Sequence, residues 1–215
     1  MGLLSVITIG GGRDYSLTGV ENDRATTAGL ASAEWYKTPI DRKLLKQLMK
    51  RSDGPALRNV GLWLALLVLT GAGAIALWGT GWALPVLLVY GVLYGTGSDS
   101  RWHECGHGTA FRSRWMNAVV YEISSFMIMR NSVVWRWSHA RHHTDTIIVG
   151  RDPEITGMRP PQMIIMALNV FGIVALPQSL FALVRNALGH LSADERQYVP
   201  EPEQARAVQR DGRRE

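Results

Sequence analysis

The stretch that decides the fold is Val60 to Trp78, VGLWLALLVLTGAGAIALW, which carries no charged residue. At ~1.5 Å of rise per residue, a helix of this length covers roughly the ~30 Å hydrocarbon layer of a bilayer. Gly79-Thr80-Gly81 follows as a tight turn, with Trp78 and Trp82 where interfacial aromatic anchors are expected. Ala83 to Thr96 is apolar again but somewhat short, so it is expected to continue as helix beyond the bilayer. Together the two runs predict a transmembrane hairpin over 58–98. Arg51 and Arg58 precede it, and Arg101, Arg112 and Arg114 follow it. By the positive-inside rule both ends are expected on the cytoplasmic side.

Upstream, residues 1–57 are polar and expected to be mostly irregular. Within them Pro39 to Arg51 (PIDRKLLKQLMKR) sets five basic residues around Leu44, Leu45, Leu48 and Met49. That is an amphipathic helix with a basic face, suited equally to an anionic membrane surface and to packing on the protein. Gly10-Gly11-Gly12 fails the dinucleotide-binding pattern and reads as disorder. Met1-Gly2 fails as a myristoylation signal because Val6 stands where Ser or Thr is required.

Downstream, Met163 to Val184 is a third apolar run, interrupted by Gly172 and Pro177. A full crossing would place Arg185, Arg196, Arg206, Arg210, Arg213 and Arg214 outside, so the expectation over 161–188 is a helix lying in the interface or dipping in and returning. Residues 189–215 are charged, contain Pro200 and Pro202, and read as a tail or linker.

The composition agrees. The 215 residues carry a net charge of +5, and 47% are hydrophobic, but apolar runs and basic stretches are segregated. A soluble domain scatters its apolar residues at helix or strand period instead. The basic excess alone would permit nucleic-acid binding, but no nucleic-acid module is recognisable and the cations flank apolar segments, so no such partner is expected. The single cysteine, Cys105, excludes an internal disulfide framework.

Five of the six histidines fall in two tight clusters within 99–160, just past the predicted hairpin. The first is His103-Glu-Cys-Gly-His107 and the second His139-Ala-Arg-His142-His143. Helical residues three or four apart share a face, so each cluster points its rings together. Neutral imidazole suits first-row transition metals, iron and zinc included. His103-Glu104-x-x-His107 also matches the zinc-protease helix, in which the glutamate is general base. The extended protease motif wants Gly and His where Ala110 and Ser113 stand, and it leaves three further histidines unexplained. Glu104-x-x-His107 is half of the soluble di-iron carboxylate motif, with no second copy, so Glu104 reads as a partner behind a ligand or a surface carboxylate.

The spacing H-x3-H then H-x2-H-H beside a membrane hairpin resembles the first two histidine boxes of the membrane fatty acid desaturases. His103 to Phe111 (HECGHGTAF) is similar to the first box of the acyl-lipid oleate desaturases, and Trp135 to Thr144 (WRWSHARHHT) to the second. Arg151-Asp152-Pro153-Glu154 resembles the acidic stretch that follows. The resemblance covers roughly residues 40 to 200. It implies an all-α integral membrane protein, with a cytoplasmic helical cap built on the histidine boxes. It implies two irons, with His103, His107, His139, His142 and His143 as ligands, and O2 as co-substrate. It implies a fatty acyl lipid substrate among membrane lipids, and electrons from a ferredoxin or a cytochrome b5-type donor.

The family also has a third H-x2-H-H box after a second transmembrane pair. Neither occurs in these 215 residues, and His190 is isolated beside Gly189. The expectation is therefore an N-terminal fragment that binds iron weakly and does not turn over. Rival readings are a histidine-box hydroxylase or ketolase on another lipid, the membrane zinc protease, and a non-catalytic truncated relative. Asp145 and Asp152 are read equally as carboxylates behind ligand imidazoles or as surface residues. Trp102, Trp115, Trp135 and Trp137 are read as packing and anchoring residues. Arg136 and Arg141 are read as facing headgroups or an acidic electron donor, with a solvated neighbour of the box as the alternative for Arg141.

Overall fold

The computed structural model of the chain describes residues 14–32, 34, 36–155 and 162–208. The glycine run at 10–12 and the last arginines lie outside them. Among the described residues every regular element is helical. In order they are α1 (Val20–Thr27), α2 (Arg42–Leu48), α3 (Asp53–Ala76), α4 (Ala83–Gly106), α5 (Arg114–Met127), α6 (Ser132–Asp145), α7 (Met163–Val170), α8 (Ala175–Ala187), α9 (Ala193–Tyr198) and α10 (Glu201–Ala207). A single 3-10 turn spans Leu30–Ser32. The chain forms two compact units, one of Lys37–Arg130 and the other of Met1–Tyr36 with Asn131–Glu215.

The Lys37–Arg130 unit is organised by α3 and α4. One helix, within Arg42–Ala76, is long and apolar enough to cross a membrane. It starts earlier than the apolar run itself, at Asp53, with Ser52 as N-cap residue. Most of α3 is exposed along its apolar side, Val68 at 70% and Ile75 at 78%, as expected of a surface solvated by something other than water. Helices α3 and α4 run antiparallel, since Asn59 meets Arg101, Trp63 meets Gly97 and Gly73 meets Val86. Gly97 leaves no room for a side chain between them. The Trp63 indole lies against it and donates Nε1–H to the Leu93 carbonyl at 2.9 Å.

As expected from the sequence, α4 does not stop at Thr96. Pro85 sits in its first turn, where a missing N–H costs nothing. The helix ends in a Schellman motif. Gly108 at φ 65° donates to the Cys105 carbonyl at 2.9 Å, and Thr109 to Glu104 at 3.1 Å. The predicted helix over Pro39 to Arg51 shortens to α2, capped by the Asp41 carboxylate accepting from Leu44 N, and none of its residues is buried.

In the other unit α6 packs on α9 and α10 through Val134, Leu191, Val199, Ala207 and Val208. The expected tail or linker over 189–215 is thus corrected across 193–207. Ser192 and Glu195 form a reciprocal capping box that starts α9, and apolar residues from both helices seat on α6. The apolar run at 163–184 divides into α7 and α8 at Gly172 (φ 68°). At 8 and 13 residues, both are shorter than the ~20 residues a crossing requires.

Candidate metal centre

Each histidine cluster is placed by a helix end. In the Lys37–Arg130 unit, His103 lies in the last turn of α4 and His107 is its C-cap residue. Their rings meet edge to face with centres 4.8 Å apart, and their ligand nitrogens lie within 4.8 Å of each other. Glu104 Oε1 sits 3.1 Å from His103 Nδ1, and Thr109 Oγ1 donates to Glu104 Oε2 at 3.2 Å. Glu104 therefore stands behind an imidazole, one of the two roles its position in the motif suggested. The loop after His107 is fixed by buried Asn117, which accepts from Phe111 N and donates to Phe111 O. Between the histidines, burial and then the neighbouring Glu104 carboxylate push the Cys105 thiol up to about 11. It stays protonated near neutrality, when a thiolate is what binds metal.

The second cluster rides on α6. Arg130 N donates to Ser125 O beyond Met129 (φ 52°), which ends α5. Asn131 then caps α6 by accepting from Val133 N and Val134 N, both at 3.1 Å. His139, His142 and His143 occupy its last two turns. His139 is buried, and the Trp135 indole stacks on its ring at 4.4 Å and 18°. A carboxylate only accepts, so the imidazole nitrogen facing it carries the proton. Glu154 takes His139 Nδ1 at 3.0 and 3.1 Å, and Asp152 takes His142 Nδ1 at 2.9 and 3.0 Å. Both rings are thereby held in the tautomer that leaves Nε2 unprotonated and able to bind a metal.

His143 Nε2 lies 3.1 Å from His139 Nε2. That is the separation of two nitrogens bound side by side to one ion at about 2.1 Å. The His142 ring centre is more distant, 5.6 Å from His139 and 5.8 Å from His143. The donor set fits a first-row transition ion: neutral imidazoles, aligned by carboxylates, with Nε2 atoms of two of them at ligand-pair spacing.

The two aspartates that looked alike in sequence separate. Asp152 is 2% exposed and also accepts from Ile147 N at 2.8 Å and Glu154 N at 2.9 Å. Asp145 instead holds Arg141 at 2.9 Å and Arg151 at 3.0 Å. Arg141 is accordingly an ion-pair partner within its own unit. Glu154 is the partner that sequence reasoning did not single out. Its signal was its position two residues past Asp152 in the acidic stretch. Trp102 packs under the Arg130 guanidinium at 4.5 Å, Trp137 packs against the α6–α9–α10 core, and His190 is exposed.

A chain whose regular elements are helical throughout the described residues, with carboxylate-backed histidines at ligand spacing, is by class a candidate metalloprotein. A family model described as fatty acid desaturase matches residues 80–209, more than half of the chain, and the chain belongs to that family. No curated protein and no solved structure matched it. Membership carries a desaturase-type oxidoreductase function and a membrane-bound setting, in keeping with the one helix among the described residues that is long and apolar enough to cross a membrane.

Proposed function

We propose that this protein is a di-iron desaturase that introduces a double bond into a fatty acyl lipid, with His103, His107, His139, His142 and His143 as iron ligands. The observation that carries the reading is the pair of carboxylates, buried Asp152 and partly buried Glu154, on the Nδ1 atoms of His142 and His139. Structural histidines need no such alignment of the opposite nitrogen, whereas metal ligands regularly have it. In this reading α3 and α4 form a transmembrane hairpin. The basic residues at its two ends put the histidine boxes on the cytoplasmic side.

Iron, when bound, supplies the oxygen activation that an unactivated methylene C–H bond requires. The chain's own residues do the rest. Glu104, Asp152 and Glu154 hold protons at Nδ1 and so keep Nε2 available as the donor atom. Trp135 fixes the plane of His139. In this reading the apolar surfaces of α3 and α4 sit in the bilayer, and the first box, at the end of α4, meets a lipid chain at its edge. Removing two hydrogens from the chain while O2 becomes two waters takes up two electrons and two protons. A ferredoxin or a cytochrome b5-type protein is the donor class that fits.

The test is the acyl-lipid profile of cells expressing the whole open reading frame that carries this sequence. New double bonds are expected, and they should vanish in His103→Ala and His143→Ala. Hydroxylated lipids without new double bonds would reassign the reaction, and double bonds that persist in both variants would end the reading.

A further inference from the structure

Helix α1 lies well before the matched segment of 80–209, yet it touches the loop that aligns the histidines. Residues 146–155 follow the end of α6, and this loop carries both aligning carboxylates, Asp152 and Glu154. Its backbone is awkward, with Ile147 at φ 65° and Gly150 at φ 78°. A β-branched residue in the left-handed region is costly and persists only when its surroundings enforce it.

Two contacts with α1 supply that enforcement. Arg151 Nη1 donates to Asn22 Oδ1 at 3.1 Å, while Arg151 Nε and Nη2 hold Asp145, the last residue of α6, at 3.0 Å. Gly150 lies so close beneath α1 that a Cβ there would sit 2.5 Å from Asn22 N and 2.8 Å from the Glu21 carbonyl carbon. The segment before α1 is anchored in turn, Leu17 N donating to Asp194 at 3.2 Å. The loop is therefore clamped between α1 on one side and the end of α6 on the other.

We propose that α1 is a positioning strut for the metal centre. Through Asn22, Arg151 and Gly150 it holds the 146–155 loop so that Asp152 and Glu154 meet His142 and His139. The proposal rests on the reading of those histidines as ligands, and Asn22 is a positioning residue that touches no ligand. A loop left to order itself on metal binding costs affinity, because its ordering free energy is subtracted from that of the ion.

The test uses the full chain in detergent, with Asn22→Leu, Asn22→Asp and, as a control on the same helix, Arg24→Ala. Arg24 pairs with Glu21 at 2.7 Å on the helix surface, so its loss probes α1 while leaving the Asn22–Arg151 hydrogen bond in place. Two readouts are taken: hydrogen exchange at the Ile147 and Glu154 amides in metal-free protein, and cobalt(II) titration followed by its visible bands. Asn22→Leu is expected to speed exchange at both amides about tenfold, as loss of one hydrogen bond implies. It should also weaken cobalt binding about tenfold and alter the bands. Asn22→Asp, which keeps an acceptor for Arg151, should restore both, and Arg24→Ala should leave both unchanged. Unaltered exchange in Asn22→Leu overturns the strut, as does faster exchange with unaltered cobalt affinity. If wild-type protein takes up no cobalt while exchange responds as stated, the strut stands and the metal reading falls.

Discussion

Replacing Asp152 by asparagine keeps the side chain's shape and removes its charge. In the native site Oδ1 accepts from Glu154 N at 2.9 Å and Oδ2 from Ile147 N at 2.8 Å, and both oxygens share His142 Nδ1. An amide has one acceptor atom and one donor atom. Whichever way it is turned, its NH2 faces a backbone N–H. One of the two buried N–H groups then loses its acceptor, at about 1–3 kcal/mol. The imidazole bond drops from charge-assisted to neutral, which removes about 1 kcal/mol more. Asp152→Asn should therefore destabilise its unit by ~2–4 kcal/mol, by the same bookkeeping. Because His142 loses the group that fixes its tautomer, affinity for cobalt(II) or iron(II) should fall roughly 10- to 100-fold. Denaturant unfolding followed by tryptophan fluorescence measures the first quantity, and metal titration the second. A variant within about 0.5 kcal/mol of wild type, with metal affinity within about twofold, would refute the reasoning.

Two further outcomes follow from the Lys37–Arg130 unit. Gly97→Ala would ordinarily strengthen a helix by ~1 kcal/mol, but its Cβ would lie 2.2 Å from Trp63 Nε1, so the indole must move and give up Leu93 O. A net loss of about 1–3 kcal/mol in detergent unfolding is expected, while Gly95→Ala, with open space at its Cβ, should be neutral or stabilising. Cys105, with its thiol pushed up to about 11, has a thiolate fraction on the order of 10⁻³ at pH 8. Iodoacetamide should label the native chain slowly at that pH and faster only as the pH approaches 11. Rapid labelling at pH 8 would contradict the buried, protonated thiol.

Much of the architecture is legible in the sequence alone. The uncharged run at Val60 to Trp78 required a long apolar helix, and Ala83 onward did continue as one helix through His103. Other elements carry a local signal that their composition masks. Ser192-x-x-Glu195 is a capping-box pattern, yet the charged, proline-containing tail around it read as linker. What overrode that composition was a set of contacts made by Val199, Ala207 and Val208 onto α6.

Histidine identity and spacing are properties of one helix turn, so the sequence alone was sufficient to group His103 with His107 and His139 with His142 and His143. The periodicity of a helix is local, and it needs no knowledge of the rest of the chain. Which acid serves which ring is a different matter. Asp145 and Asp152 carry the same carboxylate within eight residues, and only the left-handed turn at Ile147 folds Asp152 back onto His142 and sends Asp145 to two arginines. The contact between Asn22 and Arg151 joins residues 129 positions apart. No local pattern encodes such a pairing, because it exists only once the intervening chain has packed.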